Sequence, residues 1–225
     1  MPRIARATLP YYPHHITQRG NNRADVFFDD EDRKYYIETL AAYCEKCGVA
    51  IWAYCLMPNH VHLLTVPENN ESLGQGIGRT NQLYTRHVNR KYKRSGRLWQ
   101  NRFFSTIVDS DVYLWAVARY IEQNPVKAHL VQRPEDYQWS SCKANIRGES
   151  DDLMNMQAWL SDKDREMYRI FLQQRDLQEE QRIRCATSTG RPLGNEEFVL
   201  KLERQLSRRL LPRQGGRPFK KRHDD

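Results

Sequence analysis

His60-Val61-His62 places two imidazoles two positions apart inside an apolar run, a spacing that lets a strand hold a metal ion. In extended chain, residues i and i+2 leave the same face with Cα atoms roughly 6.5–7 Å apart, so both rings project together. Val61 then turns to the opposite layer and anchors the strand. Imidazole suits several divalent metals, and with an oxygen ligand and open positions such a site takes magnesium or manganese. The alternative for a bare His-x-His is one exposed ring and one ring in the core. A second pair, Tyr120 and Asn124, falls one helical turn apart on the edge of an apolar stripe made by Leu114, Val117, Ala118 and Ile121. Pro125 follows directly, which is expected to force the chain out of the helix and leave Asn124 at or near its last residue. A tyrosine and an amide so placed can serve as nucleophile and third metal ligand. Equally, the ring can pack on a sheet while Asn124 caps the helix.

The frame that must position these residues is readable in outline. At 225 residues the chain has room for one domain with a proper core plus an appendage. A strand over 11–19 runs into a turn at Gly20-Asn21-Asn22. A helix over 31–47 is stopped by Gly48. Apolar runs over 49–56 and 60–66, joined by Met57-Pro58-Asn59, read as an antiparallel β-hairpin. A helix over 72–92, a strand over 98–108 and a helix over 109–124, opened by Asp109 and Ser110 as caps, complete the core. This order predicts an α+β fold, an antiparallel sheet with helices packed on it. We expect residues 1–150 to form this catalytic domain and 151–212 a helical extension, with helices near 163–174, 177–186 and 195–209. The Pro/Gly/basic stretch 213–225 is expected to be a disordered tail until it meets a partner.

Composition narrows the class. The 36 Lys and Arg against 28 Asp and Glu, a net charge of +8, favour a polyanionic partner. No run approaches 18 apolar residues, so no membrane helix is expected. The N-terminal basic residues have no apolar stretch behind them, so no secretory signal is read and a cytoplasmic address is expected. Five cysteines do not make a disulfide framework, and Cys44-x-x-Cys47 has no matching second pair, so the cysteines read as small hydrophobes.

Taken together the segments resemble a family. The run Ala53-Tyr54-Cys55-Leu56-Met57-Pro58-Asn59-His60-Val61-His62-Leu63-Leu64 is similar to the signature of the HUH single-tyrosine transposases. So is Arg119-Tyr120-Ile121-Glu122-Gln123-Asn124-Pro125-Val126-Lys127-Ala128. Thr17-Gln18-Arg19-Gly20-Asn21-Asn22-Arg23 and Leu98-Trp99-Gln100-Asn101-Arg102-Phe103 resemble the REP-associated tyrosine transposases in particular. The likeness covers about residues 10 to 145. It implies a ferredoxin-like α+β core, His60, His62 and Asn124 as ligands of a divalent magnesium or manganese ion, and Tyr120 as nucleophile. Related mobile-element transposases typically carry glutamine where this chain has the shorter Asn124, while the REP-associated branch also carries asparagine.

The implied chemistry is cleavage and rejoining of single-stranded or hairpin DNA through a 5′-phosphotyrosine, by a monomer or homodimer. No GxxxxGK[ST] phosphate loop is present, which agrees with rejoining that needs no ATP. DNA contacts are expected from Arg19, Asn21 and Asn22, from Arg79, Arg86, Arg90 and Arg97 on one helix and the loop behind it, and from Arg102. The interleaved Tyr84, Tyr92, Trp99, Phe103 and Phe104 are candidates for stacking on unpaired bases. Lys201, Arg204, Arg208 and Arg209, with the tail, are candidates for gripping a duplex stem. His14 and His15 read as structural. Glu122, some 160° from Tyr120 around the helix, reads as facing solvent. The rival readings are a relaxase or replication initiator and a non-catalytic nucleic-acid binder.

Overall fold

The structure is a computed structural model that describes residues 7–110, 112–154 and 159–211. The basic tail expected over 213–225 lies outside these residues.

Alternation of buried side chains builds the sheet. Strands β1 (His14–Arg19), β2 (Val49–Met57), β3 (His60–Pro67) and β4 (Phe104–Ile107) lie in the order β2-β3-β1-β4, with antiparallel pairing throughout. On β3, Val61 and Leu63 enter one core and Leu64 the other, which puts His60 and His62 on the face of Leu64. On β2 a bulge between Ile51 and Ala53 changes the parity. Val49 and Ile51 before it share a core with Tyr54 and Leu56 after it, while Ala53, Cys55 and Met57 turn to the opposite face.

One face is covered by α1 (Asp30–Lys46) and α2 (Ser72–Lys91). Asp29 caps α1 by accepting the amide of Asp32 at 2.9 Å, worth about 1 kcal/mol. Gly48, with φ +62°, makes the left-handed turn that returns the chain to β2. Tyr36 and Leu40 of α1 meet Ile77, Tyr84 and Val88 of α2 beneath Ile16, Val61 and Leu63.

The other face carries α3 (Leu114–Glu122), α4 (Asn124–Lys127), α5 (Cys142–Arg147), α6 (Asp162–Leu172) and α7 (Leu177–Thr189). Tyr168, Leu172, Ile183, Ala186 and Leu193 from the helical extension join the same cluster as Ala53, Cys55, Val117 and Ile121. The final helix, α8 (Glu196–Leu206), starts a smaller cluster with Ile107, Val199, Leu202 and Leu210.

Three expectations need correction. The strand expected over 98–108 is only Phe104–Ile107. Leu98, Trp99 and Phe103 are drawn into the α2-side core, and isolated bonds hold the loop: Gln100 N–H to Arg19 O at 2.9 Å and Gln18 Nε2 to Asn101 O at 2.6 Å. The helix expected from 109 begins at Leu114 with no side-chain cap. Asp109 is still tied to the sheet line, donating its N–H to Leu193 O at 2.8 Å beside the Val108–Leu193 bridge. The chain does leave α3 at Glu122, just before Asn124, but it re-enters a helix at once instead of moving away. Gln123 keeps near-helical angles, φ −83° and ψ −5°, and Pro125 sits in the first turn of α4, where its missing N–H costs least.

Candidate active site

Two elements meet at the candidate residues. His60 and His62 come from β3, one register step along from the turn; Tyr120 comes from the last turn of α3, which packs on β2 and β3. The His60 and His62 rings lie 4.9 Å apart, and Tyr120 stands edge-on to His62 at 5.7 Å.

Each candidate ligand has one donor or acceptor atom already engaged. His60 Nδ1 bonds Asn59 Oδ1 at 2.6 Å, and His62 Nδ1 bonds His15 Nε2 at 2.9 Å, which leaves Nε2 of both rings to face a ligand. Asn124 Nδ2 donates to Tyr120 O at 2.7 Å and Ile121 O at 3.3 Å. Ile121 O is the carbonyl that the missing N–H of Pro125 would have served, so the side chain fills the gap the proline makes. With Nδ2 committed, the amide presents Oδ1 as its acceptor. Burial pushes the imidazoles down: His60 to about 4, helped by the charge of Arg19, and His62 further below its ordinary value. Both are therefore neutral, lone-pair donors at physiological pH. Two neutral imidazoles and an amide oxygen make a donor set that fits a divalent cation. Among the described residues no group of three or more His, Cys, Asp and Glu that could hold a metal ion forms.

Tyr120 is 9% exposed. Burial raises its phenol above the ordinary value; the hydrogen-bonded Arg184 guanidinium and the more distant Arg19 act the other way. The Lys127 ammonium lies 4.6 Å over the Tyr120 ring and 3.1 Å from Glu180 Oε1. The nucleophile candidate thus sits among cations, where a phenolate or a phosphate is stabilised.

The model of the family described as IS200-like transposases matches residues 10–124, which takes in the β3 histidines, Tyr120 and Asn124. The chain belongs to this family. A protein of Haemophilus influenzae named as a REP-associated tyrosine transposase is 30% identical over 156 residues, 61% of this chain and 88% of that one. The structure of a REP-associated tyrosine transposase bound to a REP hairpin superposes with a TM-score of 0.57 at 18% identity, over 68% of this chain and 90% of that one. That likeness shows the ferredoxin-like α+β fold.

As an IS200-like transposase the chain divides its expected DNA-contacting residues between two places. Arg19 lies opposite His60 across the β1–β3 ladder, on the face of the histidines. Asn21 and Asn22 occupy a short 3-10 turn directly after β1. Arg79, Arg97 and Arg102 line a groove of about 760 Å³ on the α2 side, with Gln18 and Asn101. Arg86 and Arg90 are exposed on α2. Three of the five stacking candidates are core residues, Tyr84, Trp99 and Phe103 at 0%, 7% and 5% exposed, and the Tyr92 hydroxyl is shared between Asp29 and Asp32, while Phe104 is half-buried on β4. Helix α2 needs Tyr84 for its contact with Phe27 and Tyr36, so that ring is unavailable to a base.

Other residues at the site escaped sequence reasoning. His15, read as structural, contacts both His62 and Tyr120. Arg184 and Thr187 arrive from α7, more than fifty residues past the last motif, with no pattern to mark them. Glu122 is the plainest reversal: it is fully buried, not in solvent. Helices α5 and α6 cover that flank of α3, and the carboxylate accepts from Ser141 at 2.6 Å, Asn145 at 2.7 Å and Tyr168 at 2.8 Å.

Proposed function

We propose that this chain cuts and rejoins single-stranded DNA next to a hairpin, with Tyr120 as nucleophile and His60, His62 and Asn124 as the ligands of a magnesium or manganese ion. The observation that carries the reading is the meeting of Tyr120 with His62 at 5.7 Å inside a chain of this family. Tyr120 Oη gives up its proton and attacks a phosphodiester phosphorus, the P–O3′ bond breaks, and the 3′ oxygen takes up a proton to become a free hydroxyl, so no net proton is consumed. The 5′ phosphate stays on the tyrosine, so the reverse attack by a 3′-hydroxyl reseals DNA without ATP. A divalent ion, when bound, supplies charge neutralisation at the non-bridging oxygens. Arg184 holds the phenol oxygen, and Arg19 and Lys127 add positive potential where the phosphate would enter.

The hairpin-bound relative supports hairpin DNA as the partner, and the net charge of +8 suits it. Incubation of labelled hairpin DNA carrying an unpaired flank with manganese tests the reading on a denaturing gel. The parent should form a covalent adduct. Tyr120→Phe should lose it by at least about a thousandfold while binding the hairpin within about twofold, because only the attacking oxygen is removed. Binding without any adduct in the parent would make the chain a non-catalytic binder.

A further inference from the structure

A line of hydrogen bonds runs from α7 into the sheet. Thr187 Oγ1 donates to Ile183 O at 2.7 Å and meets His15 Nδ1 at 3.0 Å; His15 Nε2 meets His62 Nδ1 at 2.9 Å. Its direction is fixed by its ends. Ile183 O can only accept, so the Thr187 hydroxyl proton is spent on it, a bond that polar residues in helices often make to the preceding turn. The Thr187 oxygen therefore accepts, and His15 Nδ1 must carry a proton. His15 is 1% exposed and both its ring nitrogens are taken by neutral partners, Thr187 and His62, so no counter-charge holds a second proton and the ring carries a single one. His15 Nε2 is then an acceptor, His62 Nδ1 must donate to it, and His62 Nε2 is left as a bare lone pair.

We propose that Thr187 and His15 are positioning residues that lock His62 in the Nδ1–H tautomer, so that the helical extension sets the metal-facing nitrogen of the strand. Reversing any bond in the line would put a proton on His62 Nε2 and remove it as a ligand. The inference rests on the metal reading above only in what the lone pair is for; the tautomer itself follows from the hydrogen bonds. It also gives α7 a role in the site that its sequence does not advertise. The His15 and His62 rings lie nearly coplanar and edge to edge, 5.2 Å between centroids at 20°, which lines up the two nitrogens for the bond.

The experiment uses the full-length metal-free protein with histidine ring nitrogens labelled. Two-bond proton–nitrogen correlation spectra report which nitrogen of His15 and His62 is protonated, and titration with Mn2+, followed by electron paramagnetic resonance, reports affinity. In the parent, both rings should be Nδ1–H. Thr187→Val removes the acceptor at nearly constant volume. His15 should then move its proton to Nε2, His62 should become Nε2–H, and Mn2+ affinity should fall about 10–100-fold, the usual effect of losing an outer-shell partner. Thr187→Ser, which keeps the hydroxyl, should restore both readouts. A parent His62 that is Nε2–H, or a Thr187→Val protein that keeps the parent tautomer, would overturn the proposal. Failure of the metal reading looks different: the parent, His60→Ala and His62→Ala proteins would all take up Mn2+ equally poorly, while the tautomer spectra still decide the relay.

Discussion

Tyr120 carries two opposed influences. Burial raises its phenol, and the guanidinium of Arg184 at its oxygen lowers it, so in the proposed role the arginine is the group that brings the phenol nearer to physiological pH. An anionic nucleophile gains from a neighbouring cation, and removing the cation shifts the phenol upward. Cleavage that rises with pH as the tyrosine ionises should therefore move to higher pH in Arg184→Gln, with a rate at neutral pH about 10–100-fold below the parent. Cleavage rates from pH 6 to 10 check this; an unchanged profile removes Arg184 from activation. The β3 pair behaves differently. His60 stays neutral until pH falls to about 4, so protonation of the ligands should not limit activity through the neutral range. His60→Ala, His62→Ala and chelation by EDTA should each stop cleavage, and combining them should add nothing, since all remove the same Lewis acid. Cleavage that survives EDTA undiminished contradicts the metal.

Helix α3 is held by its far side as well as by the sheet. Glu122 binds Ser141 and Asn145 through one oxygen and Tyr168 through the other, clasping α3 to α5 and α6. Burial raises this carboxyl above its ordinary value, and the three hydrogen bonds only partly offset that. A carboxyl with a raised folded-state value is most stabilising when protonated, and its contribution is lost as pH rises through that value. The parent should lose stability on going from pH 4 towards neutrality at this site. Glu122→Gln, which can keep all three partners with the Tyr168 hydroxyl turned to accept, should flatten the loss. Glu122→Ala, which strands the donors, should cost about 2–4 kcal/mol. Thermal melts across pH 4 to 8 separate these outcomes.

The same helix shows what the sequence could and could not tell. The stripe Leu114, Val117, Ala118, Ile121 gave the face against the sheet, but nothing in a single pattern of period 3.6 announces that a second layer covers the flank of Glu122. Strand β3 was legible because alternation sends Val61 and Leu63 into one core and leaves His60 and His62 on the face of Leu64. His15 became meaningful only once β1 was known to lie beside β3, where Thr17 opposes His62 and parity puts His15 on the same face. The strand over 98–108 was over-read because Leu98, Trp99 and Phe103 are apolar for burial under α2, not for pairing.

The molecule as a whole ties its extension to its site. Deleting 176–225 removes Ile183 and Ala186 from a core shared with Cys55 and Ile121, and with them Arg184 and Thr187. Such a truncation should lose cleavage on every substrate, short single strands included. Removing 213–225 takes away Arg213, Arg217, Lys220, Lys221 and Arg222, and should weaken DNA binding and flatten its salt dependence by about 0.7–0.9 per lost phosphate contact, with cleavage retained. Titrations of DNA binding at several salt concentrations check this, and an equal slope for the two proteins would leave the tail no part in binding.

The central claim is that one tyrosine takes the DNA. After reaction with manganese and an unpaired-flank hairpin, the quenched protein can be digested with trypsin and the nucleotide-bearing peptide sequenced by tandem mass spectrometry. Cleavage after Arg119 and Lys127 isolates residues 120–127, in which Tyr120 is the one tyrosine. The account predicts a 5′-phosphonucleotide on that peptide and on no other. A nucleotide on a different tyrosine-containing peptide, with 120–127 unmodified, would contradict it.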